Sequence, residues 1–418
     1  MSLTLRLADR TIDTSTNSHV LSIGRDALPP RLRPDASLSV LDITEWFGET
    51  SGGIRTYVLE KARYISARPA LRHVIAVPGV RDMITDDDGV RMYRLRGPRI
   101  PTQRPYRFML ATRSVSRIVR HEEPTLIEVG SPFLVPWIVR HATRDLQVPL
   151  VCYHHTNVAS VIAPQIGTPT VWGRAVHRTV QRYVSRLNTL FPLTIVGSAY
   201  SARELAQDGI TRVAQVPLGV DLDTFVPWRR ANTAALRGRL GIPQGLVAGY
   251  VGRFAREKAL DVVLDAWPEV ERTTGARLVI AGAGPMEAIY RKHPYASRVC
   301  FLPFQQDRAA MADLLAALDV YVAPGPLETF GLAALEALAS GTPVLTVNSG
   351  AVAEQIVASG AGRRYEPASV ESVVVEAGRL FHDNLAALGI MGRTHAVTHH
   401  AWPRVLDRLF AVYRELLQ

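Results

Sequence analysis

From Ser39 onward the chain alternates two patterns. Short runs of aliphatic and β-branched residues are each followed by a stretch of about 10 to 15 residues whose apolar positions recur every three or four, the mark of a strand followed by an amphipathic helix. In the first half the pattern predicts strands at Leu38–Ile43, His73–Val77, Thr125–Val129, Leu150–His154 and Leu193–Gly197. In the second half it predicts them at Val247–Gly252, Arg277–Ala281, Val299–Leu302, Asp319–Ala323 and Val344–Val347. Such alternation builds βαβ units and a parallel sheet, so each half forms its own doubly wound α/β domain. The Gly- and Pro-punctuated segment Val216–Pro227, followed by the Arg-rich stretch Trp228–Arg239, marks the crossing. Four regions result: a flexible extension over 1–35, Rossmann-like domains over 36–225 and 226–398, and a terminal helix over 399–418 that packs back toward the first domain. Open α/β sheets bind ligands at the carboxyl ends of their strands, which places the site in the cleft between the domains.

Composition narrows the class. In 418 residues, 47% apolar and 21% charged positions suit two large packed cores and exclude a disordered, collagen-like or disulfide-stapled chain. Forty-eight Lys and Arg against 38 Asp and Glu give +10, a balance that favours an anionic partner: nucleic acid, acidic lipid or a phosphorylated small molecule. Cys152 and Cys300 match no metal or redox spacing, which fits a reducing compartment. No apolar run reaches the roughly 18 to 20 residues of a membrane span, and the first residues lack a signal-peptide stretch, so a cytoplasmic location is expected.

The richest chemistry lies in Asp319–Gly350, DVYVAPGPLETFGLAALEALASGTPVLTVNSG. A strand ends before Pro324, and a helix is expected from about Gly331 to Ser340, stopped by Gly341 and Pro343. Glu328 precedes that helix and Glu336 lies within it. With the helix-start amides around Phe330, Gly331 and Leu332, they suit a ligand with hydroxyls at both ends and phosphate between, the shape of a sugar nucleotide. In Tyr250–Leu264, YVGRFAREKALDVVL, Arg253 and Lys258 are two cations near a helix start, where preorganised positive charge could meet an anion. Lys258 at a helix start is unfavourable for the helix dipole unless an anion intervenes. Gly52 and Gly53 in SGGIRTYVLE allow close approach to phosphate but lack the third glycine of a dinucleotide fingerprint. Gly282 and Gly284 in LVIAGAGP are read as room for a nucleotide. His154 and His155 end the strand PLVCYHH, with His155 the better placed for a site role. Ser349, Gly350 and Glu354 follow the next strand. Each feature alone also has a plainer reading as a turn, a solvated charge or a structural histidine.

Taken in order, and with Pro217–Asp221 and the Trp402 helix, these motifs resemble the retaining glycosyltransferases of the two-Rossmann GT-B type, in particular family 4, over roughly residues 38–418. The resemblance implies that Glu328 meets the donor sugar hydroxyls, Glu336 the ribose hydroxyls, and Arg253 and Lys258 the diphosphate. Gly52 and Gly53 would lie over donor or acceptor, and His155 would orient the transferred sugar. It further implies retention by front-face attack, with the departing phosphate oxygen accepting the acceptor proton, and no covalent nucleophile, metal or cofactor beyond the nucleoside-diphosphate sugar. The pattern looks most like bacterial α-mannosyltransferases, which makes GDP-mannose the first donor and a UDP-hexose such as UDP-glucose the second, with a lipid, glycan or small molecule as acceptor. A nucleotide-sugar epimerase of the same fold, or a non-catalytic basic protein binding sugar nucleotides or anionic polymers, are the alternatives. The loop PGPL, Pro324–Leu327, departs from the family's small polar approach to the first Glu.

Two charge patterns remain. Asp86, Asp87 and Asp88 before Gly89 imitate a metal-binding Asp-x-Asp motif, but Asp-Gly between His73–Val77 and Val90–Leu95 reads as a hairpin turn. Nine arginines lie between Arg91 and Arg120 without an intervening acid, the last of them on an expected helix over Arg107–His121. Arg174, Arg178, Arg182 and Arg186 repeat at four-residue spacing. Such arrays suit either plain solvation or an acidic membrane surface or phosphorylated acceptor, the latter giving a peripheral position on the inner face of the cell membrane. Neither array carries the interleaved aromatics of nucleic-acid binders.

Overall fold

A computed structural model describes residues 18–19, 23–48, 52–100, 106–155 and 171–418. Among these residues the first domain carries a nine-stranded sheet: β1 (Ser18–His19), β2 (Leu38–Ile43), β3 (Leu71–Gly79), β4 (Met83–Asp87), β5 (Val90–Arg96), β6 (Leu126–Val129), β7 (Leu150–His154), β8 (Leu193–Val196) and β9 (Val213–Gln215). Its order is β1-β4-β5-β3-β2-β6-β7-β8-β9, parallel from β5 to β9. The second sheet holds β10 (Val247–Val251), β11 (Arg277–Ala281), β12 (Cys300–Leu302), β13 (Val320–Ala323), β14 (Val344–Val347) and β15 (Gly362–Tyr365), all parallel, in the order β12-β11-β10-β13-β14-β15.

The strands come out where aliphatic runs are buried on both faces, as all six residues of β2 are. One core lies between the sheet and helices of each domain, and a third cluster runs from β2 and β7 through the crossover residues Val216, Leu218 and Phe225 into Trp402 and Phe410 of the terminal helix Trp402–Leu416. That helix returns to the first domain, where Phe410 stacks on Tyr64 at 5.1 Å and Tyr64 donates to Asp407 at 2.5 Å.

Three expectations are corrected. The extension over 1–35 is not loose where it is described: Ile23 is fully buried, and Arg33 donates to the carbonyls of Ser66, Arg68 and Leu71, capping the end of the first helix. The hairpin partner of β5 is Met83–Asp87, not His73–Val77, which pairs with β5 in parallel. Asp88 and Gly89 both take positive φ, as a two-residue hairpin turn requires, and Asp86 is engaged by Arg91. The helix expected from Arg107 begins only at Thr112 and runs to Glu122; Arg107 precedes it, donating to the Gly97 carbonyl at 2.8 Å.

Candidate active site

The loops after β10, β11, β12 and β13 meet at one end of the second sheet. After β10 the chain passes through Gly252 and Arg253 into the 3-10 turn Arg256–Lys258, then reverses at Ala259, whose left-handed φ of 47° starts the helix Leu260–Thr274. Lys258 Nζ lies 2.5 Å from Glu328 Oε1, so two motifs far apart in sequence share an ion pair. Both side chains keep about a quarter of their surface open, 25% and 26%, and can exchange this contact for a ligand. Arg253 reaches Glu257 at 2.9 Å, while its carbonyl accepts from Tyr250.

Glu328 stands in a braced loop. Ser349 Oγ donates to the Pro326 carbonyl at 3.0 Å and the Ala351 amide to the Glu328 carbonyl at 2.8 Å, the latter made possible by the positive φ of Gly350. Beyond it, Gly331 takes φ 81° to cap the helix Leu332–Ala339, and a Cβ there would run into Val352. Glu336 sits in that helix, 4% exposed, with its Oε1 2.7 Å from Arg308 Nη1. Burial pushes its carboxyl upward, against the pull of Arg308. The phenol of Tyr321 on β13 donates to the Val251 carbonyl at 3.1 Å, and burial, then Glu328 and Glu336, hold it far above its ordinary range.

The first domain faces this cluster. Gly52 caps the helix Gly53–Ser66, and the backbone at Gly53 stands across the cleft from Leu332, its nearest neighbour where a Cβ would project. The His155 carbonyl accepts from Thr329 Oγ1 at 2.6 Å, binding the end of β7 to the residue beside Glu328. The His155 ring stacks on Tyr153 at 4.3 Å and meets Tyr57 edge-on at 5.4 Å. Burial, with Lys61 and His154 adding to it, drives His155 down to about 3, so near neutrality the ring is uncharged and acts as a hydrogen-bonding group. His154 Nε2 is buried and has no hydrogen-bond partner among the described residues. Thr156, Asn157 and Ser51 lie outside the described residues.

Three of the expected site residues also carry packing. A Cβ at Gly282 would strike the Gly252 carbonyl and one at Gly284 the Phe254 carbonyl, so these glycines are required by the packing of one loop on another. The Phe330 side chain is 7% exposed, packed on Gly197 and His400; its carbonyl accepts from Gln355 Nε2 at 2.5 Å. Sequence reasoning missed the interdomain lacing, in which Ser198 Oγ donates to the Thr329 carbonyl at 2.7 Å and Glu354 takes the Tyr200 amide and Arg203. It also missed Arg308, although a cation at the start of a helix was the signal already used for Lys258.

Of the first basic array, Arg91 is buried between Asp86 and Glu122, and Arg117 donates to the Ile23 and Asp26 carbonyls. These two arginines hold the fold, while Arg96, Arg99, Arg113 and Arg120 are exposed. On the helix Val171–Asn188, Arg178, Arg182 and Arg186 are exposed opposite buried Val184 and Leu187; the Arg174 side chain lies outside the description. Among the described residues no helix is long and apolar enough to cross a membrane.

Residues 51–224 match the family model described as Glycosyltransferase Family 4, and residues 233–389 the model described as Glycosyl transferases group 1. A GDP-mannose-dependent alpha-(1-6)-phosphatidylinositol dimannoside mannosyltransferase of Mycobacterium tuberculosis is 32% identical over 346 residues, 81% of this chain and 87% of that protein. The chain belongs to glycosyltransferase family 4. This glycosyltransferase is also 28% identical to a GDP-mannose-dependent alpha-mannosyltransferase of Corynebacterium glutamicum, over 75% of its own length and 73% of that relative. Its GT-B fold is shared with sucrose-phosphate synthase from Thermosynechococcus elongatus, at TM-score 0.74 and 19% identity, covering 91% of this chain and 99% of that one. Anabaena HepE in complex with UDP and glucose shares it at TM-score 0.70 and 18% identity, covering 90% and 99%.

Proposed function

We propose that this glycosyltransferase moves mannose from GDP-mannose to a hydroxyl of a lipid or glycan acceptor, with retention and without a metal. The observation that carries this reading is the contact of Lys258 with Glu328, which joins the cation motif to the first carboxylate in one cleft facing His155. Both compared relatives are named for GDP-mannose.

In this reading Arg253 and Lys258 turn from their carboxylate partners to the diphosphate, and charge building on the departing phosphate is met by groups already in place. Glu328, released from Lys258, accepts hydrogen bonds from the mannose hydroxyls. Neutral His155 orients the sugar. The departing phosphate oxygen takes the acceptor proton on the face from which the acceptor attacks, so configuration is kept and no carboxylate serves as nucleophile. Each acidic group of the site is paired with a cation, which supports charge neutralisation by side chains in the role a metal could fill. The exposed Arg178, Arg182 and Arg186 stripe supports contact with an acidic membrane, read out as salt-sensitive flotation with anionic vesicles.

The test is a thermal-shift and hydrolysis screen over GDP-mannose, UDP-glucose and other nucleotide sugars, since a bound donor raises stability by mass action. GDP-mannose should give the largest shift, and Glu328→Ala should abolish turnover of that donor while keeping GDP binding. A larger shift with a UDP-sugar, or full turnover by Glu328→Ala, would refute the reading.

A further inference from the structure

Glu336 has one side-chain partner among the described residues, Arg308, whose Nη1 is 2.7 Å from Oε1. The other terminal nitrogen of that guanidinium, Nη2, is buried and meets no acceptor among the described residues. An N–H withdrawn from water without a partner costs about 1–3 kcal/mol. Arg308 bears a second local cost, because it is the first residue of the helix Arg308–Ala317, where the helix dipole disfavours a cation. It is nonetheless held firmly charged: burial opposes the charge, but Glu336, Asp221 of the crossover and Glu60 of the first domain outweigh it. The guanidinium also lies 4.7 Å over the ring of Phe225. A rigid, charged fork is therefore fixed beside a buried carboxylate with one nitrogen unused among the described residues.

A vicinal diol supplies what this arrangement lacks. Each hydroxyl donates one hydrogen bond and can accept another; a carboxylate takes the donated bonds, and only a neighbouring donor satisfies the oxygen lone pairs. Resting on the reading of Glu336 as the ribose-binding carboxylate, we propose that Arg308 is the second half of that subsite, with Nη2 donating to one ribose hydroxyl while Glu336 accepts from the pair. The arrangement makes the enzyme selective for ribonucleotide over deoxyribonucleotide donors. It also explains why an arginine stands here: a lysine, with one compact ammonium, could not hold the carboxylate and the sugar in a fixed fork.

The experiment is calorimetric titration of the full chain with GDP, UDP and ADP, then with the 2′-deoxy and 3′-deoxy forms of whichever binds most tightly. Hydrogen bonds to a charged group predict that the parent nucleotide binds about tenfold or more tightly than the weaker of its deoxy forms. Arg308→Met should weaken the parent nucleotide more than that deoxy form, so the discrimination narrows to what Glu336 alone supplies. A purely structural role would weaken all three nucleotides alike, and that result, or undiminished discrimination in Arg308→Met, would overturn the proposal while leaving the nucleotide-sugar reading in place. Binding of none of the diphosphates by the unaltered chain would instead overturn that reading, and this inference with it. If Arg308→Met does not fold, Arg308→Lys, which keeps the charge above Phe225, carries the same comparison with the same expected narrowing.

Discussion

Lys61 is the sharpest place to test how the domains are held. Its side chain is fully buried, and its ammonium lies 2.9 Å from Asp42, 2.8 Å from Glu128 and 3.0 Å from the hydroxyl of Tyr413 on the terminal helix. Tyr57 also donates to Glu128, at 3.0 Å, and His73 lies 2.6 Å from Asp42. Lys61→Met keeps the length of the stem and strands two carboxylates in the core. Removing one partner of a buried pair costs about 3–5 kcal/mol, and here one cation serves both acids, so the loss belongs at the upper end of that range. The sign with pH follows from burial. In the native protein burial raises Asp42, but Lys61 and His73 overcome it and hold that carboxyl well below its ordinary value, whereas Glu128 is pushed by burial up to about 7 despite Lys61. Without Lys61 both carboxyls move further up. A carboxyl raised on folding contributes stability that is present below its unfolded value, 4.5 for Glu128, and lost as pH rises through the folded value. The deficit of Lys61→Met should therefore shrink on going from about pH 7.5 to about pH 5.5, and Glu128→Gln in the same chain should restore part of it. Urea unfolding at the two pH values, followed by tryptophan fluorescence and circular dichroism, reads this directly. A loss under about 1 kcal/mol, or one that does not change with pH, would refute the assignment of a buried counter-charge.

Two further outcomes are expected. Thr329→Val keeps the β-branched shape but leaves the His155 carbonyl without its donor at 2.6 Å; about 1 kcal/mol of stability should go, and kcat should fall by about fivefold or more with GDP affinity nearly unchanged, whereas an unchanged kcat would show that the Thr329 bridge does not position the loop of Glu328. His154, His155 and His400 are pushed by burial down to about 4, 3 and 4, so the stability they contribute is complete above their unfolded value of 6.5 and lost as pH falls through the folded values. Between about pH 6 and 4 the unfolding free energy should approach a slope of about 4 kcal/mol per pH unit from three protons, and a flat profile there would exclude buried neutral imidazoles.

What could be read in the sequence, and what could not, divides along the range of the interactions. Strands such as Leu38–Ile43 announce themselves because aliphatic residues are buried on both faces, but Asp42 within that strand makes sense only beside Lys61 and His73. Gly362–Tyr365 escaped because GRRY on a sheet edge has no apolar run to show. Gly282 and Gly284 stand out as places of close approach, but a sequence does not say what approaches, and the fold brings the neighbouring loop there. The carboxylates tell the most. Glu328 and Glu336 are eight residues apart, and each is met by a cation from a different βα unit: Lys258 after β10 and Arg308 after β12. Both cations stand at or just before a helix start, where the dipole disfavours them. One of these misfits was weighed because it fell within a motif, and the other was passed over because it did not. A cation kept at the positive end of a helix needs an anion nearby whether or not it lies in a motif, and here each one leads to a carboxylate of the cleft.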